Sequence, residues 1–256
     1  MILMAGPCVI ETDETALSTC DFLKNLALKY NLDLYFKSSF DKANRSSVDS
    51  YRGPGIEKGM ELFEKVKRKF DVKIITDFHE PAQAAQLSGN VDMLQIPAFL
   101  CRQTDMLKAA SESGLPVNVK KGQFLSPWDM ANIVQKLESF GVKKRDIFLT
   151  ERGTSFGYNN LVVDFRSFPV MRDTGANIIF DATHSLQLPG GMGKSSGGQR
   201  EFVPYLAKAA AACGVDGFFM EIHPEPYKAL CDGPNMLNFE SAENVIKNIC
   251  LIRDVL

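Results

Sequence analysis

Apolar residues in this chain fall into short runs, and between the runs they fall into stripes. Eight runs are rich in β-branched and other apolar types: Ile2–Ala5, Leu34–Ser38, Lys73–Thr76, Met93–Ile96, Val117–Lys120, Ile147–Thr150, Ile178–Asp181 and Gly217–Glu221. Each has the length of a buried strand and is too short for a helix. The segments between them repeat at helical spacing. Ala16, Leu17, Cys20, Leu23 and Leu26 form one apolar stripe, and Met60, Phe63, Val66, Lys67 and Phe70 trace another beside a charged face. Ser126-Pro127-Trp128-Asp129 predicts a helix start, with Ser126 as N-cap, Pro127 at the first position and an acid in the first turn. Gly214 follows an alanine-rich segment ending near Cys213, where a left-handed C-cap belongs.

Strands that alternate with helices run parallel, because a parallel return needs a crossover. Eight such units in 256 residues suit a closed (β/α)8 barrel of the TIM type, an α/β fold with a single domain over residues 1–256, better than an open doubly wound sheet. No linker or low-complexity tract divides the chain.

Charge then narrows the classes of partner. A formal net charge of −2 offers no electrostatic footprint for nucleic acid or a membrane surface, so affinity for anions must come from local clusters. No apolar stretch reaches the roughly 20 residues of a spanning helix, and the apolar start Met1–Ala5 is too short for a signal-peptide core. A cytoplasmic protein with neither nucleic acid nor membrane as partner is expected. The six cysteines, Cys8, Cys20, Cys101, Cys213, Cys231 and Cys250, form no CxxC pair, and reduced thiols are expected.

The informative pattern is where polar residues interrupt the apolar runs. Each run ends in reactive types. The first is followed by Cys8 and Glu11, and the second ends in Lys37-Ser38-Ser39 and continues to Lys42, Asn44, Arg45 and Ser46. The third yields Asp77 and His79, the fourth Gln95 with Arg102 beyond, and the fifth Lys120-Lys121. The last three yield Glu151-Arg152, Asp181 with His184, and Glu221 with His223. Barrel enzymes build their sites at this end of the strands. Lys37, Lys42, Arg45, Lys120, Lys121 and Arg152 would meet at one mouth, and packed cations call for phosphates or carboxylates. Lys42 and Lys121 can also be read as solvated loop lysines.

A second group carries metal-ligand types. Cys8, His184 and Glu221 follow strands one, seven and eight, neighbours in a barrel, and Asp232 lies in the loop after strand eight. A thiolate, an imidazole and two carboxylates suit a divalent ion such as zinc or ferrous iron. Each also has a plainer reading: Cys8 as a small buried apolar residue, His184 as an acid–base group, Asp232 as part of a turn. In the loop Leu188–Gly198, Gly193-Lys194-Ser195 looks like the tail of a phosphate-binding P-loop. The first glycine of that motif would fall on Leu188, so the motif fails and a lid over the mouth is expected instead. No GxGxxG follows a strand, and no dinucleotide cofactor is indicated.

In these stretches the chain resembles the 3-deoxy-D-manno-octulosonate 8-phosphate synthase family. The resemblance rests on Ala5-Gly6-Pro7-Cys8, Phe36 through Ser47, Gln95-Ile96-Pro97-Ala98, Arg102-Gln103-Thr104-Asp105 and Asn118 through Phe124. It continues through Glu151-Arg152-Gly153 to Asp164, Phe180 through Ser185, and Glu221 through Pro226, in order along nearly the whole chain. It implies a transferase that joins phosphoenolpyruvate, arabinose 5-phosphate and water and releases phosphate, in synthesis of the sugar acid of lipopolysaccharide. By the same resemblance Lys42, Lys120 and Arg152 bind phosphoenolpyruvate with His184 close by. Lys37, Asn44, Arg45, Ser46 and the catalytic Asp77 would hold the sugar phosphate, and Ser39 and Gln95 would complete the substrate-binding set. A homotetramer is implied, with Arg102 reaching a neighbouring subunit's sugar phosphate. The family's metal-free class carries Asn in place of Cys8, so Cys8 implies the metal-dependent class, with Cys8, His184, Glu221 and Asp232 holding Zn, Fe, Mn or Co.

The nearest rival is the sister synthase that uses erythrose 4-phosphate. It carries Lys-Pro-Arg-Thr where this chain has Lys42-Ala43-Asn44-Arg45-Ser46, and Asn44 can hydrogen-bond a sugar hydroxyl where Pro cannot. More distant rivals are an amino-sugar acid synthase, a Schiff-base aldolase using Lys120, and a non-catalytic phosphosugar-binding barrel.

Overall fold

Side chains alternate between the two faces of a strand, so each run of this chain must satisfy two environments at once. The computed structural model describes residues 1–190 and 197–256. Its strands are β1 (Ile2–Gly6), β2 (Asp33–Lys37), β3 (Lys73–Asp77), β4 (Met93–Ile96), β5 (Val117–Lys120), β6 (Ile147–Glu151), β7 (Asn177–Asp181) and β8 (Gly217–Glu221). They close into a parallel barrel in the order β1-β8-β7-β6-β5-β4-β3-β2. The helices are α1 (Asp13–Tyr30), α2 (Ile56–Phe70), α3 (Pro81–Leu87), α4 (Thr104–Glu112), α5 (Met130–Ser139), α6 (Ser167–Arg172), α7 (Val203–Ala212) and α8 (Phe239–Arg253). The expected (β/α)8 barrel is therefore the fold. The expected strand limits hold to within a residue; Ser38 lies just past β2, and Asp77 and Glu151 lie inside β3 and β6.

One parity of each strand faces the helices. Leu3, Ala5, Phe36, Leu94, Val119, Leu149, Phe180 and Met220 belong to a continuous apolar layer with the buried sides of the helices. The other parity fills the barrel, where Met4, Tyr35, Ile75, Met93, Phe148, Ile179 and Phe219 form a separate buried cluster. Two residues further along the same face stand Gly6, Lys37, Asp77, Gln95, Thr150, Asp181 and Glu221. The barrel core thus ends in a polar layer at the C-terminal ends of the strands. Gly6 is glycine for a close approach: a Cβ there would lie 2.0 Å from the carbonyl oxygen of Lys37.

The expected helical stripes are mostly buried. Ala16, Cys20, Leu23 and Leu26 of α1 and Phe63 and Val66 of α2 face the core, while Lys67 turns aside to pair with Asp92 at 2.9 Å. Gly214 takes φ +73° just past α7, as a C-cap requires. The helix start expected at Ser126 is not found. Ser126 donates its hydroxyl to the Asp129 carboxylate at 3.0 Å, the chain turns tightly through Pro127 and Trp128, and α5 begins only at Met130. A hydroxyl engaged with a carboxylate does not cap a backbone N–H. Among the described residues no helix is long and apolar enough to cross a membrane. The loop expected as a lid starts from an antiparallel ribbon, Gln187–Leu188 against Gly197–Gly198, and its residues 191–196, including Lys194 and Ser195, lie outside the described residues.

Candidate active site

The polar layer forms the floor of a cavity at the C-terminal mouth of the barrel. Lys37, Lys42, Asn44, Arg45, Ser46, Asp77, Gln95, Lys120, Arg152, His184 and Asp232 all line it. At the β2–β3 side, Lys37 Nζ donates to Ser39 Oγ at 2.6 Å and lies 3.4 Å from the Asp77 carboxylate, while Ser39 donates onward to Asp77. His79 Nε2 lies 3.2 Å from the other Asp77 oxygen. Burial alone would raise the Asp77 pKa, but Lys37, the His79 hydrogen bond and Lys42 hold it well below the usual carboxylate range.

The β5–β7 side is a cationic wall on an acidic support. Lys120 Nζ is paired with Asp181 and sits 3.1 Å from the centroid of the Phe219 ring. Burial brings its ammonium down to about 8, with Arg152 and Lys37 adding to the fall and Asp181 opposing it. Arg152 donates to the Gln187 side-chain oxygen at 2.8 Å and to the His184 carbonyl at 3.4 Å. Asp181 also accepts from His184, at 2.8 Å from the ring Nδ1 and 2.9 Å from the backbone N–H. Although burial opposes it, His184 and Lys120 keep Asp181 far below the carboxylate range. Lysines and arginines kept this close remain favourable when anions share the cavity.

Beside this wall lies a cluster of soft and hard donors. The ligand atoms of His184, Glu221 and Asp232 lie within 4.8 Å of one another, and so do those of Cys8, Cys231 and Asp232. His184 Nε2 is 3.4 Å from Glu221 Oε1 and 3.8 Å from Asp232 Oδ2, and Cys8 Sγ is 3.4 Å from Asp232 Oδ2. Both carboxylate oxygens of Glu221 are buried without a hydrogen-bond partner among the described residues. A carboxylate in that condition calls for a cation. Asp181 on Nδ1 leaves Nε2 of His184 facing the cluster, the arrangement that orients an imidazole ligand. His184, Glu221 and Asp232 therefore form a donor set that fits a divalent metal, and Cys8 joins it through Asp232.

The expected residues converge with few exceptions. Cys8, Ser39 and Glu221 are buried just behind the cavity wall rather than on it. Arg102 is exposed and lies outside this chain's cavity, with its carbonyl accepting from Lys136 at 3.3 Å. Lys121, grouped with the mouth cations, is instead fully buried away from it. Its ammonium lies 3.4 Å from Glu151 and hydrogen-bonds Thr154 at 3.0 Å and the Leu125 carbonyl at 3.2 Å. The next residue along a strand faces the opposite side, which is why Lys120 and Lys121 part. Gln187 and Cys231 were not foreseen. Gln187 follows a short helical turn after β7, and Cys231 meets Cys8 at 3.1 Å only through the fold. The spacing of Asp181 and His184 was visible, but not that the two side chains join.

Comparison with known proteins matches this architecture to a family. A profile of the DAHP synthetase I family matches residues 1–250. The 2-dehydro-3-deoxyphosphooctonate aldolase of Desulfatibacillum aliphaticivorans is 55% identical over 253 residues, covering 99% of this chain and 92% of that protein. The protein of the same name from a Cyanothece species is 56% identical over 254 residues, with 99% and 92% covered. That of Albidiferax ferrireducens is 54% identical over 253 residues, with 97% and 89% covered. The name is a synonym of the synthase family whose motifs the chain carries. The chain thus belongs to the DAHP synthetase I family and, within it, to the 3-deoxy-D-manno-octulosonate 8-phosphate synthases.

Proposed function

We propose that this enzyme condenses phosphoenolpyruvate with D-arabinose 5-phosphate and water to give 3-deoxy-D-manno-octulosonate 8-phosphate and inorganic phosphate, in the synthesis of the lipopolysaccharide sugar acid. The observation that carries this reading is that Lys120, Arg152 and the Asn44-Arg45-Ser46 loop line one and the same cavity. Its relatives, which carry the matching name, support the same reading.

Lys42, Lys120 and Arg152 hold the carboxylate and phosphate of phosphoenolpyruvate, and preorganised charge there stabilises the anionic intermediate. Asn44, Arg45 and Ser46 hold the sugar phosphate, with Gln95 and the Lys37–Ser39–Asp77 network at the reacting end. The enol carbon forms a bond to the sugar aldehyde carbon, and the aldehyde oxygen takes up a proton to become a hydroxyl. Water adds at the adjacent carbon and releases one proton, and the new hydroxyl becomes the ketone carbonyl, giving its proton to the departing phosphate as the C–O bond breaks. Lys37, linked through Ser39 to Asp77, is the proton donor to the aldehyde oxygen at the reacting end. A divalent metal bound by Cys8, His184, Glu221 and Asp232, whether Zn, Fe, Mn or Co, would supply Lewis-acid polarisation or a template for water. The enzyme is read as a cytoplasmic homotetramer in which the exposed Arg102 serves a neighbour's sugar phosphate.

Two outcomes test the substrate assignment. Catalytic efficiency with arabinose 5-phosphate should exceed that with erythrose 4-phosphate by about a hundredfold or more, because Asn44 faces a hydroxyl that the correct sugar must satisfy. Equal efficiency, measured by phosphate release side by side, overturns the assignment. The free enzyme should also lose kcat/KM for phosphoenolpyruvate as pH rises through about 8, where Lys120 gives up the proton that binds the anion. The sign is fixed: the protonated lysine is the binding form, so the loss lies on the alkaline side. In Lys120→Arg that limb should move to higher pH; an unmoved limb removes Lys120 as its source.

A further inference from the structure

One side chain joins the anion wall to the donor cluster. Gln187 Oε1 accepts from Arg152 Nη2 at 2.8 Å, and Gln187 Nε2 donates to Asp232 Oδ1 at 3.2 Å. Its orientation is forced. Arginine offers only donors, so the amide oxygen must face Arg152, which leaves the amide nitrogen to Asp232. The other Asp232 oxygen, Oδ2, faces Cys8 and His184. Gln187 therefore grips the outer edge of the carboxylate whose inner edge faces the ligand cluster.

We propose that Gln187 is a positioning residue that couples occupancy of the anion subsite at Arg152 to metal affinity at Asp232. The proposal rests on the phosphoenolpyruvate and metal assignments above. An anion on the remaining donors of Arg152 restrains the guanidinium, the guanidinium restrains the amide, and the amide restrains the carboxylate before the metal arrives. Less orientational freedom is then lost when the metal binds. Coupling of this kind is reciprocal, so metal should tighten phosphoenolpyruvate by the same factor that phosphoenolpyruvate tightens metal.

The test is a set of cobalt dissociation constants for the full-length chain, measured by competition with a chromophoric chelator with and without phosphoenolpyruvate. Wild-type enzyme should bind cobalt tighter when phosphoenolpyruvate is present, within the range of about 5- to 150-fold usual for coupled sites. Gln187→Met keeps the length and removes both hydrogen bonds. It should weaken cobalt by about 10-fold or more and bring the ratio of the two constants close to unity. Gln187→Glu can still accept from Arg152 but sets a carboxylate against Asp232, so it too should lose the coupling. Thermal unfolding checks that the variants are folded. If Gln187→Met does not fold, Gln187→Asn, whose shorter amide cannot span both partners, is expected to show the same loss. A ratio that stays at the wild-type value in these variants overturns the proposal, as does a wild-type cobalt affinity indifferent to phosphoenolpyruvate. Failure of the wild-type enzyme to bind cobalt at all is a different result, because it overturns the metal centre and this coupling with it.

Discussion

Arg152→Ala and Lys120→Ala are each expected to lower kcat/KM for phosphoenolpyruvate by about a hundredfold to a thousandfold, the usual consequence of losing one preorganised charged donor. Both residues face one cavity and both approach the same anion, so the double variant should lose less than the product of the two single losses. The fold should survive. Removing a partner from a buried ion pair is normally severe, but Asp181 keeps the ring Nδ1 and backbone N–H of His184 and the backbone N–H of Thr183. The Lys120 ammonium is itself strained by burial and by Arg152 and Lys37, which is why its pKa falls to about 8, and its removal relieves that strain. Circular dichroism and thermal unfolding separate loss of function from loss of fold. Full activity in either single variant would show that the phosphoenolpyruvate subsite lies elsewhere.

Removal of metal is expected to have the largest effect. Chelated enzyme, verified metal-free by elemental analysis, should be inactive, and Zn, Mn, Fe or Co should restore it. The physical ground is Glu221, a fully buried carboxylate with neither oxygen hydrogen-bonded among the described residues, close to an imidazole and a second carboxylate. Burial and the adjacent Cys231 raise the Cys8 thiol well above its ordinary range, so metal must displace a proton there. Metal affinity should therefore weaken as pH falls. Cys8→Ser should weaken binding further, because a hydroxyl is a poor and protonated ligand. Cys8→Asn copies the metal-free class, and any activity it retains without metal measures how far Asp232 and its neighbours adapt. Undiminished turnover by the metal-free wild-type enzyme would reduce Cys8 to a packed thiol.

The barrel was legible because its signals are local. Eight short apolar runs with helical stripes between them specify alternating elements, and the parallel return of each strand leaves few ways to close them. Parity within a strand was equally legible: residues two apart share a face, so Tyr35 and Lys37, Ile75 and Asp77, and Phe219 and Glu221 each pair a core side chain with a polar one above it. The helix start at Ser126 was misread because capping depends on which partner the hydroxyl meets, and that partner is the Asp129 side chain.

What the sequence by itself determined was the set of residue types at the strand ends, and through its motifs the family. What only the tertiary structure decided was which of them meet. Closing the barrel brings β1 against β8, which sets Cys8 beside Asp232 and Cys231, more than two hundred positions away along the chain. It decides that Lys120's side of the strand opens on the cavity and that Lys121, on the other side, meets Glu151. It also sets Gln187 between Arg152 and Asp232, a role that no spacing announces. The reason is physical: strand and helix periodicities are encoded within a few residues, whereas a hydrogen bond between loops depends on the register and closure of the whole sheet.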